Sequence, residues 1–181
     1  GIGWYDGPHG TRTFQGSYWS QDYVLQPNDL SMQREVFFIK PAHTLVVDRL
    51  VALDGQDHYY DARWHVDSTN IDVHATTGTV STTDAGQPNL AITGVPLHPL
   101  QTFTRSVEYD PEDISLNHGY RYTRQSSAVP TTTISHVQDN VQDTEFFTFI
   151  EHLDTGQSSR VSSVEVVSAT NARIHFVDGS Y

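Results

Sequence analysis

The run from His58 to Asp67 (HYYDARWHVD) carries the densest set of residues able to do chemistry in this chain. Side chains two apart on an extended strand share a face. Tyr59, Asp61, Arg63, His65 and Asp67 therefore line one side, and Tyr60, Ala62, Trp64 and Val66 the other. An imidazole and a carboxylate two residues apart, His65 and Asp67, with His74 further along, are donor types suited to zinc or another divalent cation. No third ligand follows at a regular spacing. The row therefore reads first as a ladder of cross-strand salt bridges and hydrogen bonds. The alternation places Trp64 in the core and His65 at the surface.

The remaining chemistry is scattered. The chain has ten histidines, and His9, His43, His98, His118, His136, His152 and His175 fall in expected loops or at strand ends, as surface or turn residues. The acidic cluster Asp110-Pro111-Glu112-Asp113 lacks the spacing of a calcium loop and reads as a solvated turn. There is no Gly-x-Ser-x-Gly, no His-Glu-x-x-His and no phosphate-binding glycine loop. With no cysteine, disulfides, thiolate metal sites and thiol catalysis are excluded. No catalytic residue is assigned and no cofactor is expected; a structural divalent metal at His65 and Asp67 is the less favoured alternative. Aromatic residues in glycine-containing or short segments are the other signal. Trp4, Tyr5, Trp19, Tyr120 and Tyr122, with Tyr18 and Tyr23, could stack on sugar rings or plug the ends of the fold.

These residues need strands to hold them. Arg34 to Lys40, Thr44 to Leu53 and His58 to Asp67 are crowded with valine, isoleucine, phenylalanine, tyrosine and tryptophan, as half-buried pleated surfaces favour. Further strands are expected at Ile71–His74, Thr79–Thr82, Leu90–Thr93, Gln101–Glu108, Gly119–Gln125, Thr131–Val137, Thr144–Leu153, Val161–Ser168 and Ala172–Val177. Turn signals separate them at Asp54-Gly55, Thr77-Gly78, Ala85-Gly86, Asp110-Pro111, Thr155-Gly156 and Asp178-Gly179. No window keeps an apolar period of 3.6. The expected class is all-β, an antiparallel two-sheet β-sandwich (supersandwich-like) with little or no helix. Residues 1–28 read as a loop-rich N-terminal segment. Three of the strands (Arg34 to Lys40, Thr44 to Leu53, Thr144 to Leu153) are apolar on both faces, so the outer face should be covered as well.

A length of 181 residues suits one sizeable core and a single domain. The apolar fraction is only 36%, but aromatics reach 11%, and each buries a large area. Disordered chains lack such residues. The 22 acidic residues against 10 basic ones give a net charge of -12, and Lys40 is the only lysine. Such a surface repels phosphate backbones and anionic lipid, so neither nucleic acid nor membrane is an expected partner. It also disfavours an unaided grip on a polyanionic sugar. No run approaches a membrane span. The opening Gly-Ile-Gly-Trp has neither initiator methionine nor signal peptide, so the chain is expected to belong to something longer.

One resemblance gathers several of these stretches. Arg34, the run Val36 to Pro41, Val46-Val47-Asp48-Arg49 and Trp64-His65 follow one another in the order and spacing of the sandwich in heparinase II/III-like polysaccharide lyases. Gly119-Tyr120-Arg121-Tyr122, Pro130-Thr131-Thr132-Thr133 and Phe146-Phe147-Thr148-Phe149 continue it, so the likeness spans most of Arg34 to Leu153. The resemblance implies a parent enzyme, bacterial and secreted, periplasmic or cell-surface. That parent would cleave uronate-containing polysaccharide by β-elimination. The reaction needs a group to neutralise the uronate, a base for the C5 proton and an acid for the leaving oxygen. In that family the catalytic tyrosine and its partners sit mainly on an α/α toroid, with a further histidine and a His-x-His zinc segment on early sandwich strands. Neither the toroid nor those segments occur in this sequence. The resemblance thus implies an accessory domain whose partners are the polysaccharide and the toroid of the parent chain, inactive alone. A stand-alone carbohydrate-binding module and a structural or oligomerising module are the alternatives.

Overall fold

The computed structural model describes residues 30–39, 42–94, 100–104, 120–122, 128–168 and 171–180. They form thirteen strands: β1 (Leu30–Ile39), β2 (His43–Ala52), β3 (His58–Val66), β4 (Ile71–His74), β5 (Thr79–Thr82), β6 (Asn89–Gly94), β7 (Leu100–Thr104), β8 (Tyr120–Tyr122), β9 (Ala128–Pro130), β10 (Thr132–Val141), β11 (Asp143–Leu153), β12 (Val161–Ser168) and β13 (Asn171–Phe176). No helix occurs among the described residues, and the sheets are antiparallel. The fold class read from the sequence is the observed one. Strands β4, β5 and β12 fall on their expected ranges, and the other expected strands are met within a few residues where they are described. Strand β9 was not expected; its three residues end at Pro130 and pair with β8. The expected N-terminal segment 1–28 and the Asp110-Pro111 turn lie outside the described residues.

Two compact units emerge. The first takes its described strands from Leu50–Thr69 and Gln101–Thr144. Its body is the three-stranded sheet β3-β10-β7, in which β10 runs antiparallel to β3 from Thr132 opposite Val66 to Gln138 opposite Tyr60. The register then slips before Val141 pairs with His58. Asn140 lies in that slip at φ 61°, a left-handed conformation that asparagine tolerates better than most residues. Tyr60, Ala62, Val66, Ile134 and Val137 are buried in this unit.

Stretches Met32–Arg49, Asn70–Leu100 and Glu145–Tyr181 make up the second unit. Its main sheet has six strands in the order β1-β2-β11-β6-β5-β4, and the hairpin β12-β13 forms a separate pair. Val46, Val47, Val80, Ala91, Ile92, Phe146, Phe149, Leu153 and Val161 are its buried apolar residues. Buried threonines stitch two strands together: Thr79 and Thr93 are opposite one another in β5 and β6 and share a hydroxyl hydrogen bond of 2.8 Å.

The expectation that strands apolar on both faces are covered holds for the buried pair Val46 and Val47 in β2 and for Phe146 and Phe149 in β11. It fails at β1. Val36, Phe37 and Ile39 are exposed, and Phe38 keeps 81% of its accessible surface. Strand β1 ends the six-stranded sheet, with β2 as its one neighbour among the described strands.

Candidate functional site

The row on β3 is the site the sequence pointed to, and the structure alters its character. Register with β10 sets Asp61 opposite Val137, Arg63 opposite Ser135 and His65 opposite Thr133. Asp61 is only 1% exposed, a correction to the solvent-facing reading of this side of the strand. Ser135 beside it is also buried. A strand's own period fixes which side chains share a face but not what packs against that face. Arg63 Nε donates to Asp61 Oδ2 at 2.5 Å. Burial nevertheless raises the Asp61 carboxyl above its ordinary 3.8, against the opposing pull of Arg63 and the nearby Ser135 hydroxyl. Tyr59 is half-buried, and its phenol is raised by burial and by the Asp61 charge.

His65 remains exposed, as expected, with Nδ1 at 3.2 Å from Thr133 Oγ1. Burial of part of the ring, then the Arg63 charge, lowers its pKa. It is therefore a neutral imidazole at neutral pH, able to accept a hydrogen bond. Trp64 is half-buried rather than wholly in the core, while Val66, two residues on along the same face, is buried. His65 and Asp67 retain the donor types for a divalent cation. No group of three or more His, Cys, Asp or Glu residues able to hold a metal occurs among the described residues. What this face offers is one neutral base and an Arg63–Asp61 pair whose charges largely cancel. That set suits hydrogen bonding to neutral hydroxyls better than neutralising a carboxylate.

Of the expected aromatic platform, Trp4, Tyr5 and Trp19 lie outside the described residues. Tyr120 and Tyr122 are the ends of β8, opposite Pro130 and Ala128; the placement of their rings is not among the described parts.

The motif residues that carry the family resemblance have structural work in the described regions. Arg34 of β1 meets Asp48 of β2 through two parallel contacts, Nε to Oδ1 and, at 2.5 Å, Nη2 to Oδ2. The next residue, Arg49, donates from Nη1 to Glu35 Oε2 and from Nε to Glu145 Oε1, each at 2.8 Å. One guanidinium thus bridges β1 and β11 across β2, and both carboxylates hold Arg49 more firmly protonated. The threonine run does the same in the other unit: Thr131 Oγ1 donates to the Val66 carbonyl, and Thr132 Oγ1 to that of Ser68 at 2.7 Å. Such pairs fix strand register.

A further constellation escaped sequence reasoning. His43 opens β2, Glu151 lies near the end of β11, and Arg160 immediately precedes β12. Glu151 is 1% exposed. Its Oε2 accepts from Ser159 Oγ at 2.5 Å, and its Oε1 from the Arg160 backbone N–H at 3.2 Å. The Arg160 side chain adds Nε at 3.8 Å from Oε1 and places Nη2 at 2.5 Å from His43 Nε2. The His43 ring is stacked on Phe149 at 5.2 Å and tilted against Phe176 at 5.6 Å. Burial, then the Arg160 charge, lowers its pKa despite Glu151. The half-buried stacking of His43 corrects its expected place as a surface or turn residue. His136, read the same way, is buried within β10. The available signal was Glu151 itself, an acid inside the aromatic run Phe146 to Leu153. Its partners Ser159 and Arg160 stand 8 and 9 residues away, and His43 is separated from Arg160 by 117.

No family model matches this chain, and no curated protein does. Solved structures do. Heparan sulfate lyase HepC from Pedobacter heparinus, in a mutant form, superposes with a TM-score of 0.58 at 16% identity, covering 82% of this chain and 24% of its own. The unmutated HepC gives 0.55 at 15% identity with the same coverage. A heparinase III gene product gives 0.61 at 10% identity, covering 83% of this chain and 23% of its own. The chain thus spans about a quarter of the length of these structures and shares the fold of that portion of them.

Proposed function

We propose that this chain is the accessory, non-catalytic β-sandwich part of a polysaccharide lyase acting on uronate-containing polysaccharide by β-elimination. The observation that carries this reading is the fold shared with heparan sulfate lyases over 82% of the chain but only 24% of theirs. Charge placement supports it. Arg34, Arg49 and Arg63 each face a carboxylate within the chain, whereas neutralising a uronate needs a cation directed at the substrate. In this reading, a toroid elsewhere in the parent chain supplies the chemistry and the sandwich shapes the cleft around the sugar. The test is incubation of this chain alone with heparin, heparan sulfate, alginate and hyaluronan. No unsaturated-uronate absorbance should develop. Its appearance with any of them would place an active site in this chain and overturn the reading.

A further inference from the structure

The hairpin β12-β13 hangs on Arg160. The Arg160 carbonyl accepts from the Val177 N–H at 2.8 Å, so one residue ties the start of β12 to the end of β13. Its guanidinium lies 5.6 Å from the centre of the Phe176 ring. The same side chain reaches His43 on β2 and Glu151 on β11. The contact with His43 has a strict requirement. Arg160 has only donors, so the ring nitrogen facing it must be an unprotonated acceptor.

We propose that His43 is a pH-operated latch holding the β12-β13 hairpin to the six-stranded sheet through Arg160. Unprotonated, Nε2 accepts from Arg160 Nη2 and the hairpin is held. Protonated, Nε2–H confronts a guanidinium N–H with like charge. The imidazolium then turns to Glu151 Oε1, 3.9 Å away, and Arg160 loses that side-chain anchor.

The charged neighbours on the packed elements act on this exchange in both directions. From β11 come the Glu151 carboxylate, which attracts a proton to His43, and His152, which opposes one. From the start of β12 comes Arg160, opposing it more strongly than His152. The flanking surfaces from β11 and β13 are the uncharged rings of Phe149 and Phe176. Beyond β13, exposed Asp178 feels Arg160 but is held by Ser180. The lowered pKa of His43 agrees with the geometry, since the latched state disfavours the proton. The sign follows: latching is fully present above the ordinary histidine value of 6.5 and is lost as pH falls from there through the latched value.

Hydrogen exchange of the β12 and β13 amides, corrected for intrinsic rates and compared with β5 and β6, tests this between pH 5 and 8. Hairpin protection should fall on acidification by roughly tenfold for each pH unit separating the latched and released pKa values of His43, while β5 and β6 hold. His43→Gln keeps an acceptor but cannot titrate, so its hairpin profile should be flat. An equal acid loss in His43→Gln, or no loss in the wild type while His43 titrates, overturns the latch. Should His43→Gln fail to fold, wild-type NMR decides: coincident midpoints for the His43 ring and the hairpin amides support the latch, and separated midpoints overturn it.

Discussion

Arg34 and Asp48 face one another across β1 and β2, the aspartate with 0% of its surface exposed and the arginine closing over it from the sheet's last strand. A carboxylate so buried is tolerable only while its partner stays. Arg34→Met should therefore cost about 3 kcal/mol, because it strands a charge rather than removing a contact. Adding Asp48→Leu should recover much of that loss. Denaturant melts of the two singles and the double settle it; a double variant no better than Arg34→Met alone would deny that the stranded charge is the cause.

Asp61 has the opposite electrostatic sign from an ordinary ion-paired carboxylate. Its pKa in the folded chain lies above 3.8, so the native state holds a proton the unfolded state would release. The stability this gives is present below that value and lost as pH rises through the folded pKa. Asp61→Asn keeps an oxygen for Arg63 and has nothing to ionise. Its stability should fall less than the wild type's between pH 4 and 7, and the two melting curves compared across that range check the slope.

Trp64 and His65 are neighbours with unequal consequences. Trp64 is half-buried, so Trp64→Ala should cost about 2 kcal/mol, below the range for a fully buried tryptophan. His65→Ala should cost no more than about 1 kcal/mol, the scale of one exposed hydrogen bond. A chelator should leave the wild-type midpoint unchanged. If the midpoint drops in chelator and His65→Ala reproduces the drop, His65 and Asp67 hold a structural metal.

Two turn glycines should respond differently to a methyl group. Gly78 has φ 66°, and a Cβ there would sit 2.8 Å from the Gly94 carbonyl oxygen, backbone that also answers Gly78 O through the Gly94 N–H. Gly86 has φ 72° but open space around it. Gly86→Ala should lose about 1 kcal/mol from conformation alone. Gly78→Ala should lose about 2 kcal/mol or more, since β5 and β6 must part to admit it. Equal melting temperatures for the two would contradict the steric argument.

Strand positions were legible because β-branched and aromatic residues crowd short runs between turn residues, as in Thr79–Thr82 and Val161–Ser168. That information is local. Strand β9 carried no comparable signal, being three residues ending in a proline. The depth of Asp61 was illegible for a different reason: its own strand presents it beside Arg63 and His65, a polar face by every local measure. His43 shows the limit most clearly. Its partners come from β11, the start of β12 and the end of β13, and nothing within ten residues of it names any of them.

The edge position of β1 governs how this chain can be handled. Among the described strands β1 is paired on one side only, and Phe38 and its exposed neighbours lie alongside. Its two charged side chains, Arg34 and Glu35, already face partners on β2, so the strand lacks the outward-facing charges that elsewhere in proteins keep sheet edges from templating one another. Concentrating the chain therefore sets its net charge of -12 against an adhesive seam. Salt, by screening the repulsion and leaving the seam intact, should turn a clear solution cloudy sooner than warming does. A single lysine in place of Phe38 is the smallest change that would blunt the seam.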